Sequence, residues 1–290
     1  MIDKELFLKF YSENISSDVC EMQSEFISFQ RHWDEFMECY LNKEVPPNTQ
    51  SSIVQLNYLY SIIWSDLSIC ALSQSKDEIN NLVFSSLATT ISNNLIAIIE
   101  LSLNGLDYQA MNILRNLYEI GLLVLNICID EEKRKQFFDS ARKENSYEVW
   151  RKYFSTKSML YTIQSYSSSE SLESYWKKDL KQYYSRLSSF VHNSLVNVYV
   201  FSFSQPKDTE EDHCLNVCAH FASRYEQILR ETADLIWVFT KVFRFLMEDV
   251  KFKDFFNYLL GSNSEKYLRH VKNGCYFADY YYLLIAKPRT

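Results

Sequence analysis

The chain is nearly without the two residues that bend and end secondary structure: four glycines (Gly105, Gly121, Gly261, Gly274) and four prolines (Pro46, Pro47, Pro206, Pro288) serve 290 positions. Sandwiches and barrels need frequent tight turns, and Gly and Pro supply the backbone conformations that such turns demand. A chain so poor in both is expected to be built from long helices. The same scarcity removes phosphate-cradling loops, where closely spaced glycines let the backbone approach the ligand. No two glycines lie within ten residues of each other, so a Walker loop, a dinucleotide fingerprint and a G-x-S-x-G nucleophile elbow are absent. H-E-x-x-H and C-x-x-C are absent too. Any chemistry falls to side chains carried on helices.

With 47% apolar and 23% charged residues the chain can bury a sizeable core. A net charge of −7 argues against a general nucleic-acid coat protein and leaves a local basic cleft open. Seven cysteines, an odd number without regular spacing, read as buried thiols in a reducing compartment. The start, Met1 to Leu6, lacks the basic residues and apolar run of a signal peptide. Asn80 to Ile99 has the length of a membrane span but holds four Asn with several Ser and Thr, which reads as a buried helix. The expectation is a cytoplasmic protein without membrane association.

Apolar residues recur in steps of three and four almost everywhere. Val19, Met22, Phe26, Phe29, Trp33, Phe36 and Tyr40 give a first helix, capped by Ser17 or Asp18 and ended by Pro46-Pro47. Ile53 to Cys70 gives a second. The stretches 78–104 and 107–129 are apolar around most of their circumference, which marks helices buried on several sides. Asn104-Gly105 is a natural C-cap between them and Asp107 a natural N-cap. Charged helices follow at 131–145 and 147–165, then a serine-rich loop, then a helix from Leu172 to His192. Residues 194–203 fit either a strand or a helix. A long helix is expected from Leu215 to Asp249, and the folding of the aromatic tail from Lys251 stays open. The expected class is an all-α helical bundle in three parts: an N-terminal helical segment at 1–75, a central bundle at 76–250 and an aromatic C-terminal extension at 251–290.

Three constellations could carry chemistry. Arg115 and Glu119 lie four apart on an otherwise apolar helix, so they share a face and can pair. A buried charge is costly unless paired, so the pair either fixes helix register or faces a pocket. The segment Tyr184 to Ser194 brings Arg186, Ser188, His192 and Asn193 to the end of one helix. Histidine titrates near neutrality and arginine holds phosphate bidentately, which together suffice for metal-free RNA cleavage. At ~100° per residue, His192 stands about 120° round the helix from Arg186, whereas Ser188 shares its face. Arg115, Glu119, Ser188 and His192 therefore form a rival, ligand-binding set. The third group, His213, Cys214, Cys218 and His220, is placed on the long helix with its two pairs facing apart, so no metal site is expected.

Arg186 and His192 match R-x(4–6)-H, and on these residues the chain resembles the HEPN superfamily of all-α proteins. The order of elements is similar to a bacterial HEPN-like group: an apolar helix with R-x-x-x-E (Arg115 to Glu119), a charged middle, then Y-x-x-L-S-x-x-V-H (Tyr184 to His192). The resemblance covers about 78–250. It implies a metal-independent ribonuclease, a defence or toxin effector, with catalytic Arg186 and His192, no cofactor, and RNA or a nucleotide as ligand. It also implies a homodimer, with a second copy completing the site, and a partner protein encoded in the same operon. Leu187 stands where active members carry a polar residue. The alternatives are a HEPN-like module that senses a nucleotide or a protein, and a helical scaffold whose Arg and His are structural.

Overall fold

A computed structural model describes residues 4–16, 18–40, 52–74, 79–140, 146–166, 180–188, 203–204, 214–215, 225–260 and 265–286. The fold is all-α. The helices are α1 (Lys4–Asn14), α2 (Val19–Tyr40), α3 (Ser52–Gln74), α4 (Ile79–Leu103), α5 (Asp107–Ile129), α6 (Glu131–Ser140), α7 (Ser146–Tyr153) and α8 (Thr156–Tyr166). Residues 180–188 form α9. After them come α10 (Tyr225–Glu248), a 3-10 turn (Val250–Phe252), α11 (Lys253–Leu260) and α12 (Glu265–Ala286). Among the described residues, strand is limited to the antiparallel pairing of β1 (Phe203–Ser204) with β2 (Cys214–Leu215).

The centre is α3, α4 and α5. Every residue of α3 from Ile53 to Trp64 is buried, so this helix is surrounded by α4, α10 and α12. Gly105, with φ 70°, turns α4 into α5: the Leu106 amide reaches the Leu101 carbonyl at 2.8 Å. The backbone there is left-handed, which glycine adopts without cost. By length and composition α5 and most of α4, residues 80–103, could each cross a membrane, and both contribute to the core. Gly121 of α5 touches the Phe239 ring of α10, and a Cβ there would overlap it.

Apolar surface alone does not fix how such helices rotate against one another, and three buried asparagines add direction. Asn57 donates to the Ile53 carbonyl in its own helix at 2.8 Å and to Leu229 of α10 at 2.9 Å. Asn81 bridges Ala71 of α3 and Leu259 of α11 at 3.1 and 3.0 Å. Asn126 bridges Leu122 and Met159 of α8 at 2.9 and 3.0 Å, and it also accepts from the buried Lys133 ammonium at 2.9 Å. Each amide satisfies its donors on backbone carbonyls of two helices or two turns.

The structure adds to these expectations and moves some of the bounds. The first helix begins at Lys4: Phe7, Phe10 and Tyr11 bury against α12, with Phe7 and Phe277 ring centroids 4.7 Å apart. Asp18, one of the two expected caps, does cap α2, its carboxylate accepting from the Cys20 amide at 2.8 Å. Asp107 is the first residue of α5 rather than its cap; Leu106 holds the cap position with no side-chain bond. The charged middle breaks into α6, α7 and α8, because Phe154 turns inward between the last two and is 1% exposed. The long helix runs from Tyr225, while Leu215, where the periodicity would start it, lies in β2; the described tail residues 253–260 and 265–286 are helical. Buried residues of segments 1–75, 76–250 and 251–290 share one core.

Candidate functional site

Helix α9 is oriented by its apolar residues. Leu180 and Leu187, seven apart, are 2% and 0% exposed, which turns Tyr184 and Ser188 toward α5 and leaves Tyr183 and Arg186 beside α10. The core position of Leu187 explains why no polar residue is found there. A further bond from the Tyr118 hydroxyl of α5 to the Leu180 carbonyl, 2.9 Å, ties α9 to α5.

On the α5 side the expected pairing of Arg115 with Glu119 is present, and it reaches further than the spacing foretold. Arg115 Nε and Nη2 donate to Glu119 Oε1 at 3.0 and 2.6 Å, and Nη1 donates to Ser188 Oγ at 2.6 Å and to the Tyr184 carbonyl at 3.3 Å. The guanidinium lies over the Tyr184 ring, 4.2 Å from its centroid, with its side chain 12% exposed and that of Glu119 39%. Hydrogen bonding from Arg115, then from Thr156 of α8, with a smaller one from Ser188, holds the Tyr184 phenol below its ordinary pKa. A guanidinium with four N–H···O bonds inside the protein has little capacity left for a phosphate, so Arg115 acts as a clamp between α5 and α9.

On the α10 side Arg186 has an exposed guanidinium, with the side chain 47% exposed, whose Nη2 pairs with Glu231 Oε2. It lies over the Tyr183 ring at 5.3 Å. Glu231 is largely buried, and burial pushes its carboxyl up, opposed by Arg186. Asp234, one turn on, is also pushed up by burial, opposed by hydrogen bonds from Tyr282 and Tyr183. Those bonds measure 2.7 and 3.4 Å and tie α12 and α9 to one carboxylate. Tyr282 stacks on Trp237 with centroids 4.6 Å apart.

The structure thus brings Arg115, Glu119 and Ser188 together and sends Arg186 to a different face. His192 and Asn193 lie outside the described residues. Sequence spacing missed Tyr184 and Thr156 on the clamp, and Glu231 and Asp234 behind Arg186. Tyr184 carried a usable signal, being four residues before Ser188; Glu231 carried none, lying far along the chain. Cys214 lies in β2 rather than on a helix, so the helical spacing assumed for it and Cys218 does not apply; His213, Cys218 and His220 lie outside the described residues. Among the described residues no group of three His, Cys, Asp or Glu could hold a metal ion.

A family of unknown function, DUF5677, matches residues 81–180. No curated protein and no solved structure matches the chain. The matched segment runs from the third residue of α4 to Leu180 in α9, so it takes in Arg115, Glu119 and Thr156 and ends before Tyr184, Arg186 and Ser188.

Proposed function

We propose that the chain is a metal-independent ribonuclease of the HEPN type, a defence or toxin effector, with Arg186 and His192 as catalytic residues. The observation that carries this reading is the state of Arg186: an exposed guanidinium on the motif helix, oriented by a buried carboxylate and an aromatic ring. In the reaction His192 takes the proton of a ribose 2′-hydroxyl, and that oxygen attacks the adjacent phosphorus. Arg186 donates to the non-bridging oxygens as charge builds on them. His192, now protonated, returns that proton to the 5′-oxygen as its bond to phosphorus breaks, giving a 2′,3′-cyclic phosphate and a 5′-hydroxyl end. Arg115, Glu119 and Ser188 are positioning residues that hold α9 still. A homodimer would set two motifs across one cleft and supply the convergence that a 120° offset denies a single helix.

Incubation of purified protein with total RNA in EDTA, wild type beside His192→Ala, tests the assignment. The expected result is a loss of roughly 10²–10⁴-fold on removing the proton shuttle, with wild-type activity greatest near neutrality. Arg186→Lys should also fail, because a point charge does not reproduce the planar fork. Equal RNA decay with and without His192 would end the catalytic assignment.

A second reading, a non-enzymatic module sensing a nucleotide or protein partner, is favoured by the clamp: Glu119 is part-exposed, and the Tyr184 phenol beside it is held at a lowered pKa. No cleavage by wild type, with ligand binding lost in Glu119→Ala, would establish it.

A further inference from the structure

The described surface is unusual in where it leaves aromatic rings uncovered. Of 21 Tyr, 20 Phe and 5 Trp in the chain, the most exposed among the described residues are Tyr147 at 74% and Tyr161 at 72%, and Trp150 near them is 41% exposed. Tyr147 and Trp150 are three apart on α7, with Arg151 on the same face; Lys157 and Tyr161 are four apart on α8. Only Phe154 and Ser155 separate the two helices. Residues 146–166 carry three basic side chains, Arg151, Lys152 and Lys157, against one acid, Glu148, in a chain whose net charge is −7. All three basic residues are exposed.

We propose that the exposed aromatic and basic side chains of the consecutive helices α7 and α8 form a docking strip for single-stranded RNA, with Tyr147, Trp150 and Tyr161 stacking on bases, Arg151 and Lys157 meeting the phosphates, and Lys152, over the Tyr153 ring, adding positive charge at its edge. The inference rests on the ribonuclease reading for its choice of ligand. Rings interleaved with basic residues are what a sequence-tolerant single-strand site requires, since every base has a π-face and every nucleotide a charge. Lysine is depleted from protein–protein interfaces, and two of the three cations here are lysines. The exposed large apolar residues of α7 and α8 are all aromatic, unlike Ile69, Leu72 and Leu82 on α3 and α4, which are aliphatic. The strip also borders the clamp: α8, which carries Lys157 and Tyr161, packs against α5, whose Arg115 bonds Ser188 of α9.

The test measures binding, separately from cleavage. A fluorescent oligouridine is titrated by anisotropy in EDTA with the full-length His192→Ala protein, so that cleavage cannot consume the probe. Tyr147→Ala, Trp150→Ala and Tyr161→Ala are each expected to weaken binding roughly 5- to 150-fold, while Tyr161→Phe retains it because the ring remains. Replacing Arg151 and Lys157 with Gln should lower the slope of log affinity against log salt by about 0.7 for each phosphate that is no longer neutralised. Circular dichroism checks that each variant is folded, and these exposed positions are expected to leave the fold intact. Wild-type-like affinity in all three alanine variants would overturn the proposal, as would equally tight binding of a duplex that the ring substitutions do not affect. RNA cleavage by wild type combined with ring-independent binding would remove the strip and keep the ribonuclease. Ring-dependent binding without cleavage would do the reverse.

Discussion

Arg115 and Arg186 both involve helix α9, and they are held by opposite means. Arg115 reaches it from α5, is mostly buried, and uses its donors on a carboxylate, a hydroxyl and a carbonyl of the protein itself. Arg186 leaves it toward α10, is half exposed, and rests on a carboxylate that is more buried than it is. The difference separates a guanidinium used up inside the protein from one left open to solvent, on the two sides of one helix. A guanidinium enclosed among internal acceptors fixes geometry, whereas one backed by a buried acid and open to water can meet a ligand.

Substitution at the clamp sharpens that contrast. Arg115→Ala is expected to cost about 2–3 kcal/mol in denaturant unfolding, because it strands Ser188 and frees Glu119; the part-exposed carboxylate limits the loss. Ser188→Ala removes one bond to the same guanidinium and should cost about 1 kcal/mol. Arg186→Ala breaks a pair whose cation is half exposed, and about 0–1 kcal/mol is expected, with the effect falling instead on the proposed RNA cleavage. If Arg186→Ala proved the most destabilising of the three, the division between the two arginines would collapse.

A smaller effect concerns pH. Burial raises the carboxyls of Glu231 and Asp234 in the folded protein, so the folded state holds their protons to higher pH than the unfolded chain does. Below the unfolded values of ~4.3 and ~3.9 both states are protonated and the contribution to stability is complete. As pH rises past them the unfolded chain ionises first, and stability is lost until the folded carboxyls ionise as well. The difference in unfolding midpoint between wild type and Asp234→Asn should therefore change from pH 4 toward neutrality, to the detriment of wild type. A constant difference across that range would contradict the assignment.

The helices were legible in the sequence wherever periodicity alone decides. The α4 and α5 hairpin follows from two all-round apolar stretches with Asn104-Gly105 between them, and Gly105 has the positive φ that this position demands. The Arg115–Glu119 pair was legible from a spacing of four. The start of α10 was not: the periodicity begins at Leu215, but Leu215 pairs with Phe203 as part of β2, and α10 runs from Tyr225. The acids behind Arg186 were hidden for a related reason: Glu231 and Asp234 are ordinary polar positions on an amphipathic helix until Tyr183 and Tyr282 arrive from distant parts of the chain. Local pattern records which face of a helix is apolar; it holds no record of what meets the other face.

The buried asparagines have a consequence for how this sequence can change. A helix such as α3, enclosed by apolar neighbours, accepts many aliphatic exchanges at nearly constant volume, since the core asks mainly for size and hydrophobicity. Those exchanges leave rotation and slide almost degenerate, and an amide that must meet two carbonyls at once lifts the degeneracy. Asn57, Asn81 and Asn126 therefore act as dowels in a joint whose mating surfaces are otherwise smooth. Drift in the surrounding leucines and isoleucines would wear those surfaces without shifting the joint. Loss of a dowel would let neighbouring helices settle at a new angle while burying as much apolar area as before.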